Sequence, residues 1–258
     1  MTRIGARFAT LRREGKKAFV AFVSAGDPSL DRTVEVALEL ERGGVDVLEL
    51  GVPFSDPLAD GPVIQRASER ALRRGTTLAG VLDVVRRIRR VSELPLLLFT
   101  YVNPLLRYGL ARAAAEAHES GADGVLVTDL PPEEADEWVD TAGAAALDTI
   151  FLVAPTSPDE RLRRVAQASR GFVYAISRMG VTGERDALSS DARPLVERLK
   201  ALTSEPVALG FGLSTPEQVA SAAQAADGVV VGSALVRFLE ERPDGDVAGQ
   251  VRWLKSAM

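Results

Sequence analysis

The segment LELGVPFSDPLADGPVIQ, residues 48–65, sets Glu49 inside an apolar run and Asp56 and Asp60 in the loop chemistry after it, with no lysine or arginine among them. A carboxyl enclosed by apolar walls holds its proton more tightly, which suits a proton donor at neutral pH. A buried glutamate paired with an arginine or with backbone amides fits the same residues, because structural networks also perturb carboxyls. Asp60 lies eleven positions beyond Glu49, too far for one helical face but within reach of a loop folding back over the strand end. SDP and ADGP are equally ordinary turn sequences. A carboxylate pair could also hold a divalent cation, yet apart from Asp129 no acids recur at other strand ends.

Two glycine-bearing turns near the C-terminus, LGFGLSTPEQ (209–218) and VVVGSALVRF (229–238), suit an anion. Glycine lets backbone amides approach a phosphate, and a following helix adds its positive end. Gly212, Gly232 and Ser233 are the candidate contacts. SRMGVTGERDALSSD (177–191) is long and polar enough for a lid, or for a plain surface loop.

Other chemistries lack their residues. The four lysines, Lys16, Lys17, Lys200 and Lys255, fall in the N-terminal segment, a helix and the C-terminal tail, which removes Schiff-base chemistry and covalently held pyridoxal phosphate. Zero cysteines remove disulfides and thiol nucleophiles, and a single histidine, His118, cannot build a multi-histidine metal site. VGSAL is not a G-x-S-x-G elbow. What remains is acid and base catalysis by carboxylates on a phosphorylated substrate that supplies its own electron sink, with no metal. A net charge of −5 gives no basic face for nucleic acid. No apolar run reaches about 18 residues and the N-terminus lacks a signal-peptide core, so a cytoplasmic protein is expected.

Positioning falls to eight short apolar runs, beginning at Ala18, Val45, Pro95, Asp123, Asp148, Gly171, Pro206 and Asp227, with helical patterns between them. Runs apolar on both faces suit parallel strands under helices. Eight such units in one series predict a single α/β domain over 1–258, a (β/α)8 TIM barrel, with an additional N-terminal helix built on Ile4, Phe8 and Leu11. An open doubly wound sheet is the alternative. Alternation in VDVLELG gives Val45, Val47, Glu49 and Gly51 one face; if inward, it puts Glu49 at a pocket floor. The longer gap after the second run leaves room for a further helix over PVIQRASERALRRG. The doubled arginines of VVRRIRRV read as a solvated helix face, and His118 as a helix end.

The order of LELGVPFSDPLADGPVIQ, TYVNPLLRYG, GVLVTDLPPEE, SRMGVTGERDAL, GFGLSTPEQV and VVVGSALV closely resembles the tryptophan synthase α subunit family over nearly the whole chain. The resemblance implies a TIM barrel that cleaves indole-3-glycerol phosphate to indole and glyceraldehyde 3-phosphate. It implies Glu49 as the acid and base at indole C3 and the glycerol hydroxyl, and Asp60 as the carboxylate steadying the indole N–H. Phe22, Leu126 and Phe211 are implied as indole-pocket walls, and Tyr101 and Tyr174 as residues on the substrate side. Gly183, Gly212, Gly232 and Ser233 are implied as phosphate contacts, with Thr182 as a lid residue near Asp60. PFSDP (53–57) and NPLL (103–106) match the contact with a β subunit that carries the pyridoxal phosphate, implying an αββα assembly. The tail ERPDGDVAGQVRWLKSAM matches no family motif, and Trp253 and Leu254 are expected to cover the barrel bottom. A stand-alone lyase and a non-catalytic phosphate-binding regulator are the competing functions.

Overall fold

The computed structural model describes residues 2–176, 192–210 and 212–258; Thr182, Gly183 and Phe211 lie outside them. The strands are β1 (Ala18–Ser24), β2 (Val47–Gly51), β3 (Leu96–Thr100), β4 (Gly124–Val127), β5 (Asp148–Ile150), β6 (Leu152–Val153), β7 (Val173–Ile176), β8 (Val207–Gly210) and β9 (Gly228–Val231). Every pairing is parallel, in the order β5-β4-β3-β2-β1-β9-β8-β7-β6. β5 and β6 are two pieces of one extended segment broken at Phe151: the first piece pairs with β4 and the second with β7. The sheet therefore closes on itself as an eight-stranded barrel, as the eight runs predict.

The helices are α1 (Arg3–Arg13), α2 (Leu30–Gly43), α3 (Pro62–Arg73), α4 (Leu78–Arg89), α5 (Val102–Tyr108), α6 (Leu110–Ser120), α7 (Asp136–Ala144), α8 (Asp159–Ala168), α9 (Ala192–Lys200), α10 (Pro216–Ala225), α11 (Ser233–Glu241) and α12 (Val247–Leu254). Alternation along the strands divides the apolar residues. Phe19, Ala21, Leu48, Leu50, Leu96 and Leu98 pack against the helical layer, while Val20, Val47, Leu97, Leu126, Ile150 and Val230 fill the interior. The interior is a packed core and not a pore.

The expected N-terminal helix, α1, plugs the barrel at the strands' N-terminal ends. Its Ile4, Phe8 and Leu11 join the interior core, with Phe8 5.5 Å from the Phe172 ring. Arg3 and Arg7 pair with Asp123 and Asp46 at 3.2 and 2.5 Å, and the Thr2 hydroxyl donates to Asp148. These contacts leave the other end as the open one.

Three expectations need correction. Val45 precedes β2 and packs in the outer layer, because the inward alternation starts only at Val47. Arg89 is not solvated: it donates to Asp123 at 3.0 Å, to the Gly121 carbonyl and to the Ser92 carbonyl. Trp253 is 48% exposed and stands outside the core, and Leu254 is buried in the outer layer, where Val247 and Val251 of the same helix also pack. His118 sits exposed in the last turn of α6, as read. Among the described residues no helix is long and apolar enough to cross a membrane.

Candidate active site

A cavity opens at the C-terminal ends of the strands, lined by Glu49, Ala59 and Asp60 from β2 and the loop after it and by Gly212, Gly232 and Ser233 from the turns after β8 and β9. Phe22, Ile64, Phe99, Thr128, Leu152, Tyr174 and Val230 complete its mostly apolar wall. Phe22 and Phe99 meet edge to face at 5.1 Å. An apolar wall beside glycine-bearing turns suits a ligand that joins a flat aromatic group to an anion.

Glu49 lies at the third position of β2, beside Phe22 of β1 and Leu97 of β3, and is 1% exposed. Neither carboxyl oxygen has a hydrogen-bond partner among the described residues. Among the described residues, then, no arginine or amide pairs with this glutamate. Burial alone raises its pKa from the usual carboxylate range to about 8, so the side chain is neutral at pH 7.

Asp60 arrives from the loop between β2 and α3. That loop is tied internally by Asp60 N–H donating to the Pro57 carbonyl at 3.0 Å, and Ser68 of α3 clasps both backbone groups of Phe54. The Tyr101 hydroxyl accepts from Ala59 N–H at 3.1 Å and donates to Asp60 Oδ2 at 3.0 Å. Burial pushes Asp60 up to about 6, with the Tyr101 hydrogen bond pulling the other way. Two carboxyls in one cavity thus have separated proton affinities. Burial and the nearby Glu49 and Asp60 raise the Tyr174 hydroxyl well above its ordinary range, so it stays protonated.

The anion end contrasts two helix starts. At α10, Thr215 and Gln218 form a reciprocal capping box that uses the local amides. At α11 the N-cap is Gly232, which has no side chain to cap the turn, and the turn faces the cavity through Ser233. Such a turn offers N–H donors and the positive end of the helix dipole to an anion. Gly212 has φ +82°, a left-handed conformation that favours glycine.

The sequence-predicted residues Glu49, Asp60, Phe22, Tyr174, Gly212, Gly232 and Ser233 all meet at this cavity. Leu126 does not: it is fully buried in the barrel interior. Tyr101 stands behind Asp60 and holds it in place without lining the cavity. Sequence reasoning missed Ile64, Phe99, Thr128, Leu152 and Val230. Period-two alternation from Leu97 to Phe99 and from Ile150 to Leu152 would have found two of them. Asp129 accepts from Val102 N–H at 2.7 Å, an ordinary helix-start contact. No lysine lines the cavity, and among the described residues no cluster of acids and histidines could hold a metal ion.

The model of the family described as tryptophan synthase alpha chain matches residues 8–257. The tryptophan synthase alpha chain of Solibacter usitatus is 54% identical over 244 residues, covering 95% of this chain and 91% of that protein. Its counterpart in Geobacter sp. is 49% identical over 258 residues, covering 100% and 97%. Among solved structures, a chain of Mycobacterium tuberculosis tryptophan synthase superposes with a TM-score of 0.93 at 41% identity, covering 99% of this chain and 98% of that one. The Legionella pneumophila alpha subunit gives 0.90 at 37% identity, covering 100% and 97%. Full-length similarity at this level, on a barrel whose mouth carries the acidic pair and the uncapped helix, means that the chain belongs to the tryptophan synthase alpha chain family.

Proposed function

We propose that Glu49 and Asp60 carry out the lyase reaction of this family on indole-3-glycerol phosphate. The neutral Glu49 gives its proton to indole C3. The bond from C3 to the glycerol chain then breaks, and its electron pair returns to the ring, whose nitrogen held the positive charge. The carboxylate left on Glu49 takes the proton of the hydroxyl on the departing carbon, which leaves as the aldehyde of glyceraldehyde 3-phosphate. Glu49 ends protonated, so the step balances. Asp60, ionised, faces the indole N–H while that nitrogen is positive, and in a dry pocket such a preorganised group contributes about 3 kcal/mol. The turn at Gly232 and Ser233, with Gly212, holds the phosphate.

One observation carries this reading: the buried Glu49 carboxyl has no hydrogen-bond partner among the described residues and faces a cavity shared with Asp60. Structure alone would bury an acid with an arginine beside it; an unpartnered acid suits one whose partner is the substrate.

Pyridoxal phosphate resides in the β subunit of this family, consistent with a cavity here that no lysine lines. The β subunit is the expected partner, in an αββα assembly in the cytoplasm, with 1–258 acting as one barrel domain. Leu58, 85% exposed, and Leu106, 55% exposed, lie on or beside the two segments that match the family contact and give it an apolar surface. An assay of indole release by the purified chain, with and without a β subunit, tests the reading. Release that rises strongly with the β subunit is expected; equal rates would favour a stand-alone lyase, and phosphate binding with no release in either case would favour a regulator.

A further inference from the structure

Two helix starts supply lining residues of the cavity: α3 begins two residues after Asp60, and α11 begins at Ser233. These helices are zipped along one face each. Near the mouth, Val63, Ile64 and Ala67 of α3 join Val236 of α11 and Phe22 in a small apolar cluster separate from the main cores. Beside and beyond this cluster the zipper is ionic. Arg66 donates to both Glu240 oxygens at 3.2 and 3.0 Å, and Arg70 donates to Glu240 at 2.7 Å. Arg70 also holds Asp27 through two bonds of 2.9 and 2.7 Å, which ties in the turn after β1, the strand that carries Phe22.

Helical spacing makes this one continuous seam: Val63, Ala67 and Arg70 share a face of α3, and Val236 and Glu240 share a face of α11. The Arg70 and Glu240 side chains are 31% and 27% exposed, so solvent screens their contact less than that of a free surface pair. Sliding α3 against α11 would change the distance between Asp60 and the α11 turn, and the ionic end of the seam opposes that slide. We propose that Arg70 and Glu240 are positioning residues that fix the span between the acidic end and the anion end of the cavity, and thereby the length of ligand it accepts. The inference rests on the functional reading above, since it needs a ligand that bridges both ends.

Calorimetry with two probes tests it on Glu240→Gln and Arg70→Met. Inorganic phosphate occupies one end only, whereas indole with a propyl phosphate on C3 bridges both and cannot be cleaved. The variants are expected to bind the bridging probe about tenfold more weakly and inorganic phosphate within about twofold of the parent, with kcat/KM falling alongside the first. Unchanged affinity for the bridging probe would overturn the proposal. So would equal weakening of both probes, which marks general loosening. Failure of the unaltered protein to bind the bridging probe would instead overturn the functional reading, and this inference with it.

Discussion

At the scale of the residue, Glu49 carries opposing demands. A carboxyl without partners in an apolar interior destabilises the fold whenever it ionises. Its folded pKa of about 8 stands above the ordinary 4.5, so the folded protein binds the proton more tightly than the unfolded chain. The contribution to stability is therefore full below about 4.5 and is lost as pH rises through about 8. Glu49→Gln cannot ionise. Its stability relative to the parent is expected to rise by about 4 kcal/mol between pH 5 and pH 8.5, as measured by urea unfolding at both values. Asp60 obeys the same rule in activity. The mechanism needs Glu49 protonated and Asp60 ionised, so kcat/KM should form a bell with limbs near 6 and near 8. Tyr101→Phe removes the hydroxyl that steadies the Asp60 anion, so the acid limb should move to higher pH while the alkaline limb stays; a pH–rate profile reads both. Glu49 was legible in the sequence as an acid in an apolar run. That no described residue pairs with it was not, because in a barrel the partners come from strands distant in the chain.

At the scale of the element, the barrel itself was legible because eight apolar runs separated by amphipathic helices admit few parallel arrangements. Details that depend on where a strand starts, such as the outward side chain of Val45, were not. The partner exchange at Phe151 was hidden for a related reason, since closure is a property of the whole sheet and no local pattern marks it. Arg89 went unread because its acceptors, Asp123 and the Gly121 carbonyl, lie more than thirty residues away. One strand-level demand is sharp. A Cβ added at Gly210 would lie 2.7 Å from the Tyr174 hydroxyl oxygen and 2.9 Å from Val230 Cβ, a position held by neighbouring backbone. Gly210→Ala is expected to cost about 1–3 kcal/mol in urea unfolding and to lower kcat/KM by displacing Tyr174.

At the scale of the molecule, the two ends of the barrel divide the work. α1 and its ion pairs close the end where the strands begin. The acids, the aromatic wall and the uncapped turn of α11 gather at the end where the strands finish, as barrel enzymes require. The exposed Leu58 and Leu106 lie on the loops and short helix that follow β2 and β3, beside that working end. Catalysis turns on Glu49, and the direct measurement is the rate of indole release from indole-3-glycerol phosphate by Glu49→Gln, with a β subunit present and circular dichroism confirming the fold. A loss of at least about a thousandfold is predicted, the scale expected when a proton donor at the reacting carbon is removed; turnover near that of the unaltered protein would contradict the account.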